Sequence, residues 1–324
     1  MRRIHAIACP LLTAAALALA LPAAAAEYPS RPVRAVVPLT PASGADIAGR
    51  IVGRQLQEIW KQTVVIDNRP GAGGQIGTQI VVRAAPDGHT LLVQSSSHAV
   101  NPAIYRNLPY DSTKDLVDVA CLGSTPYVMI TAPAGPYRPL KTLIEAARTK
   151  PGEVAFASAG IGTSTHITGE YLAQTAGVKL LHVPFKGSNE AIGDVVAGRV
   201  AFYMAPISTA IGLIRENRLA VLGVASPKRI GMLPNVPTIA EQGLAGFEMD
   251  VWFGTWAPAA TPRPVLHKLA SDIRGALDTR ELRDQYAKLG MEPTTLFLGD
   301  FTRFVRAEMS KYQQVVKRAD IQPM

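Results

Sequence analysis

Cysteine is almost missing from this chain of 324 residues, with only Cys9 and Cys121 present. Cys9 lies in a stretch expected to be removed, which leaves one thiol and no intramolecular disulfide, so the fold has to rest on its apolar core. Aromatic residues are also sparse, at 6%. Lys and Arg outnumber the acids, but they are scattered (Arg31, Arg50, Lys114, Lys141, Arg199, Arg303) and form no basic run interleaved with aromatics. That distribution excludes a nucleic-acid footprint, which would cluster on one element. Long apolar runs are missing too. The longest, from about Leu11 to Leu21, falls short of the roughly 20 residues a membrane-spanning helix needs, so the chain is not read as membrane-inserted.

Complete catalytic and metal-binding sets are equally scarce. Beyond the first 26 residues the histidines are His89, His98, His166, His182 and His267, with no H-x-x-x-H or H-E-x-x-H pair and no cysteine cluster. No metal is expected. Gly71-Ala72-Gly73-Gly74-Gln75-Ile76-Gly77 invites a dinucleotide reading, but the third glycine of G-x-G-x-x-G falls on Ile76. The strand that follows also ends without a ribose-binding carboxylate. No lysine completes a P-loop, and no cofactor is expected. Gly162-Thr163-Ser164-Thr165-His166 approaches the G-x-S-x-G nucleophile elbow, but His166 stands where the sharp turn requires glycine. A secreted α/β hydrolase is the alternative reading.

What the chain does have begins at its N-terminus. Arg2 and Arg3 precede the apolar stretch, and Pro22 with Ala23 to Ala26 close it, an export signal with cleavage expected after Ala26. Cys9 precedes the apolar stretch instead of ending it, which argues against a lipid anchor. The formal charge of +8 falls to +6 when the two arginines leave, a modest general attraction for anions.

Short β-branched runs alternate with helical spacing: VRAVV (33–37), TVVID (63–67), TLLVQ (90–94), VAFAS (154–158), KLLHV (179–183), VAFYM (200–204) and LAVLGVA (219–225). Few polar residues interrupt these runs, which predicts an α/β fold with mostly parallel sheet covered on both faces. Leu116 to Ala132 and Met249 to Ala257 read differently, as long extended crossings between two lobes. The expected division is an export signal over 1–26, a first lobe of 27–127 plus 251–324 and a second of 128–250, with ligand in the cleft between them.

Two loops follow strands, are rich in small residues and open helices: 38–46 after VRAVV, and 158–166 after VAFAS. Such a loop presents free N–H groups and the positive end of a helix dipole, a ready anion site. Each also has a purely structural reading, because Ser43 with Asp46 fits a capping box and Thr163 or Ser164 fits an N-cap. His166 and Glu170 share a helix face, but two groups make an incomplete metal site, so a hydrogen-bonded histidine is expected.

Eight ordered motifs, among them YPSRPVRAVVP, DNRPGAGGQIGT, PDGHTLL, FASAGIGTSTH, HVPFKG and LPNVPTIAEQG, give the chain a resemblance to the extracytoplasmic receptors of tripartite tricarboxylate transporters, the Bug receptors. The resemblance implies a two-lobed periplasmic binding protein of the second topological type. Such a protein, a monomer, takes up a small organic acid and serves a two-subunit integral membrane permease, or acts as a sensor without transport. It places the ligand among Leu39, Thr40, Ala42, Ser43, Gly44 and Asp46 of the first loop. From the second it takes Ser158, Gly160, Gly162, Thr163 and His166. Ser95, Ser96 and Ser97, Phe185, Lys186 and Gly187, Ala205 and Pro206, and Trp252 are the secondary candidates. Leu39 stands where the family usually has Phe, Ala42 and Ser43 where it has Gly-Gly, and Thr163 where it has Ser. The added Cβ atoms at 42 and 43 predict a reshaped first loop.

Overall fold

The computed structural model describes residues 28–322, and the expected export signal lies outside the described residues. The strands run β1 (Val33–Val37), β2 (Val64–Asn68), β3 (Thr90–Ser95), β4 (Leu116–Thr131), β5 (Ala155–Ser158), β6 (Leu181–Pro184), β7 (Phe202–Pro206), β8 (Ala220–Val224) and β9 (Asp250–Pro258). Between and after them lie α1 (Gly44–Trp60), α2 (Gln75–Val82), α3 (Ser97–Ile104), α4 (Leu140–Thr149), α5 (Ser164–Ala176), α6 (Ser188–Val196), α7 (Ile207–Arg215), α8 (Arg263–Asp278), α9 (Arg280–Leu289) and α10 (Gly299–Arg318).

The sheet order is β2-β1-β3-β9-β4-β7-β5-β6, with β8 also on β4. Its two flanks are parallel, β1 with β2 and β3, and β5 with β6 and β7. Its middle is antiparallel, because β9 pairs with both β3 and β4, and β4 goes on to pair with β7 and β8. Each expected strand appears within two residues of its predicted span. The two expected crossings are β4 and β9, and they are what make the sheet mixed. Leu116 to Pro126 of β4 lies along β9, and Tyr127 to Ile130 lies along β7.

Helix α1 shows how the sequence builds a flank. Ser43 caps it, Ala45, Ala48, Val52 and Leu56 are buried, and Lys61 ends it in a left-handed conformation. Gly49 and Gly53 face Val93, Ile66 and Val64, so the helix axis can approach the strands closely. Each fully buried large apolar side chain contributes about 1.5–3 kcal/mol. Two apolar clusters result. The larger includes Val36, Leu92, Phe253, Trp256 and Phe301, and the smaller Val128, Ile130, Ile192, Tyr203 and Ile211.

Trp252 belongs to the larger cluster. Its ring meets Phe301 and Phe304 edge-on, and its Nε1 donates to Glu308 at 2.9 Å. Phe301, on α10, is fully buried and also leans on Trp256. Removing that ring leaves a cavity among rigid aromatics. Phe301→Ala is expected to destabilise the protein by about 3–5 kcal/mol, read as a drop in the urea midpoint at unchanged slope.

Candidate functional site

The loops at the carboxyl ends of β1, β2, β5 and β6 gather at one place, where open α/β sheets bind ligands. The first loop is held from behind. Asp46 Oδ2 accepts from the Ala42 N–H and from Arg50 Nε, both at 2.9 Å, and Oδ1 accepts from Asn68 Nδ2 at 2.9 Å. Burial works to raise this carboxyl, but the bonds from Arg50, Ala42 and Asn68 override it and keep it below the usual carboxylate range. Asn68 also donates to the Leu39 carbonyl at 3.1 Å. Asp46 is therefore a positioning residue whose two oxygens are already engaged. Ala42 takes a left-handed φ of 59°. That is a conformation suited to glycine, taken here in spite of the Cβ.

The second loop is stitched by hydroxyls. Thr163 Oγ1 donates to the Gly160 carbonyl at 2.6 Å and caps α5 at the His166 N–H, while Thr165 Oγ1 accepts from the Ala159 N–H at 2.9 Å. Gly160 and Gly162 both have positive φ. Ser164 N–H donates to Ser97 Oγ at 2.9 Å, and Tyr127 Oη donates to Ser164 Oγ at 2.8 Å. Ser164 thus bonds serine and tyrosine, not an imidazole base, and the elbow reading loses its second member.

The loops enclose two adjoining compartments. The inner one is the narrower of the two. Eight hydroxyl side chains line it: Thr40, Ser43, Ser95, Ser97, Thr163, Ser164, Thr165 and Ser188. Gly44 and Ala45 of α1 line it as well. The first turns of α1 and α5, whose leading N–H groups have no carbonyl four residues back, therefore face one space from opposite sides. The outer compartment is about 500 Å³ and is walled by Pro38, Leu39, the Pro70–Gly74 loop, Tyr105, Ala159 to Ile161, Thr163 and Pro184 to Lys186.

Of the residues singled out from sequence, Leu39, Thr40, Ser43, Gly44, Ser95, Ser97, Gly160, Thr163, Phe185, Lys186, Gly187 and Pro206 line these compartments. Ala42, Asp46, Ser96, Ser158, Gly162, His166 and Ala205 do not, and so stand as supports. Ser96 is fully buried, while its neighbours Ser95 and Ser97 face the inner compartment. Pro206 lines it in place of Ala205. The Gly71–Gly74 loop and Tyr105 are wall residues that the sequence reading did not assign to the cleft. The glycine loop carried a signal, because it follows a parallel strand at the same sheet end as the other two.

Behind the second loop, His182 joins His166 and Glu170, and the donor atoms of the three lie within 4.8 Å of one another. His182 is the third partner that sequence spacing concealed. The two imidazoles stack at 4.0 Å and 18°, so their in-plane lone pairs run in nearly parallel planes and do not meet at one point. His182 Nε2 is 2.7 Å from Ser158 Oγ, and His166 Nδ1 accepts from the Gly162 N–H at 3.5 Å. The arrangement suits neutral histidines that brace the loop. Burial pushes His166 down to about 4, and burial with the neighbouring His166 pushes His182 down to about 3.

A histidine whose folded value lies below its ordinary 6.5 contributes full stability above pH 6.5 and loses it as the pH falls toward 4. Each such group costs up to about 1.4 kcal/mol per pH unit in that window. Asp250, pushed up to about 6 by burial, works in the opposite sense, so the comparison must be between variants. His166→Gln should flatten the fall in unfolding free energy between pH 6.5 and 5 relative to wild type, as measured by urea titration. An unchanged slope would contradict neutral, buried imidazoles.

The walls touch across the cleft. Tyr105 Oη donates to the Ile161 carbonyl at 3.1 Å, and Asn189 Nδ2 donates to the Pro41 carbonyl at 3.2 Å.

Comparison with known proteins gives the arrangement its context. Residues 48–321 match the family described as Tripartite tricarboxylate transporter family receptor. A "UPF0065 protein in tcbD-tcbE intergenic region" of Pseudomonas sp. (strain P51) is 38% identical over 290 residues, covering 89% of this chain and 86% of that protein. Among solved structures, "R. palustris Rpa4515 with adipate" has a TM-score of 0.88 at 29% identity, covering 92% of this chain and all of the other. The periplasmic binding protein BugD has a TM-score of 0.87 at 30% identity, with 92% of this chain and all of that one covered. The fold is that of a two-lobed periplasmic binding protein, and the chain belongs to the receptor family of the tripartite tricarboxylate transporters.

Proposed function

We propose that this protein is an exported receptor that closes its two lobes on a small organic carboxylate and presents it to a two-subunit integral membrane permease. The observation that carries the reading is the pair of helix N-termini, α1 and α5, facing one hydroxyl-lined compartment from opposite walls. Each terminus brings about half a positive charge, and its first-turn residues Gly44 and Ala45 or Ser164 and Thr165 line the space, the complement of a carboxylate head. The relative solved with adipate, an organic acid, supports the ligand class.

In this reading the lobes are 27–127 plus 251–324 and 128–250. Their hinge lies where β4 passes from its β9 partner at Pro126 to its β7 partner at Tyr127. Export through the signal over 1–26 places the receptor in the periplasm, in keeping with its family. Among the described residues no helix is long and apolar enough to cross a membrane.

The test is a thermal-shift panel of mono-, di- and tricarboxylates, each paired with its amide. A true ligand at 100 times its Kd stabilises by about 2.7 kcal/mol, or roughly 5 °C or more in Tm. Acids should shift the melt and amides should not, and equal shifts from both would sink carboxylate capture. Closure has its own test at Gly187, where a Cβ would overlap Thr40 Oγ1 across the cleft. Gly187→Ala should abolish most of the ligand-induced shift with little change in the ligand-free melt. A preserved shift would show that binding does not require this approach of the walls.

A further inference from the structure

The two compartments differ in chemistry, and that difference sorts the parts of a ligand. Hydroxyl side chains line the inner one, the narrower of the two. The outer one is larger, and other residue types line it. Leu39, Ile161, Phe185 and the ring of Tyr105 face it, together with prolines and side-chain-free glycines. Leu39, Ala159 and Thr163 line both spaces, so a ligand whose head is inside must pass its body along Leu39.

We propose that the acid taken by this cleft is a monocarboxylate with an apolar body, aliphatic or aromatic, held head inward. The inference rests on the carboxylate reading above and narrows it. Lys186 is the one charged residue on the outer wall, and it is exposed to solvent. Its own N–H donates to the Glu190 carboxylate at 3.2 Å, which brings a negative charge to the same turn. A second carboxylate placed in this chamber meets no arginine and only an exposed lysine whose turn already holds Glu190, so it gains little over its hydration.

An apolar body finds the converse. Gly73 and Gly162 lie against Tyr105, and a Cβ on either would strike the ring or its hydroxyl. The glycines therefore let the Tyr105 ring seat as a flat wall, which its bond to the Ile161 carbonyl holds in place. Ile161 is 41% exposed at the rim. A hydrocarbon entering the chamber covers Ile161, Leu39 and Phe185 at once.

Titration calorimetry on the exported protein tests this with straight-chain monocarboxylates of increasing length, benzoate, hexanamide and α,ω-dicarboxylates of matched length, adipate among them. Affinity should rise about threefold per methylene until the chamber is filled. Dicarboxylates should bind about tenfold or more weaker than monocarboxylates of equal length. Leu39→Asn should flatten the length dependence. Affinity independent of length overturns the proposal. So does tighter binding of dicarboxylates of equal length, whether or not Lys186→Gln erases it, because the outer chamber would then read a second charge. Both of those results leave carboxylate capture intact, whereas hexanamide binding as tightly as hexanoate removes it.

Discussion

The antiparallel crossing of β4 and β9 is the constraint on which the rest of the molecule depends. Leu116 pairs with Pro258 at one end and Pro126 with Asp250 at the other. Along this rail β3 docks on one side, and β7 and β8 take over where β9 ends. The C-terminal segment fastens it: Ser124 and Glu292 exchange backbone bonds at 2.9 Å, and Cys121 N–H donates to the Leu296 carbonyl at 2.9 Å. Gly123 is required there, since its φ is 155° and a Cβ would meet the Glu292 carbonyl oxygen. With the rail fixed, the carboxyl ends of β1 and β5 converge, and α1 and α5 start opposite each other.

Much of this was legible in the residues, because burial and capping are local. β-branched runs such as VRAVV mark strands that are covered on both faces, and Ser43 with Asp46 marks the start of α1 within one residue. The antiparallel middle was not legible. Alternation marks an antiparallel strand only when one face is wet, and β4 and β9 are buried on both. The glycine loop after β2 resembles a nucleotide template only in part, and nothing in its residues marks its place in the cleft wall. His182 escaped notice as a partner of His166 because the two lie on different elements and meet only through the fold.

The first loop shows how tertiary bonds override a local preference. A left-handed alanine costs about 1–2 kcal/mol, and Ala42 adopts that conformation nonetheless. Its N–H is bonded to the Asp46 carboxylate, which Arg50 and Asn68 hold in turn. Hydrogen bonds to charged groups contribute about 1.5–3 kcal/mol each, enough to offset the strain. Asp46 belongs to the capped start of α1 and, through Ala42, sets the backbone of the first loop.

The same economy of charge governs the inner compartment. Its lining holds hydroxyls and helix starts but no Lys or Arg. An arginine there would attract a carboxylate from one wall alone, whether or not the other wall arrived. Neutral donors shared between α1 and α5 behave differently. Either wall by itself offers about half a charge and a few hydrogen bonds, and the full set forms only when the walls meet. Under the proposed function, a ligand would then bind the closed arrangement better than the open one, and that difference in affinity, not the total affinity, would shift the population toward closure. Dividing the recognition between two helix starts would thus couple binding to shape, and reopening would release the ligand by withdrawing half of its partners at once.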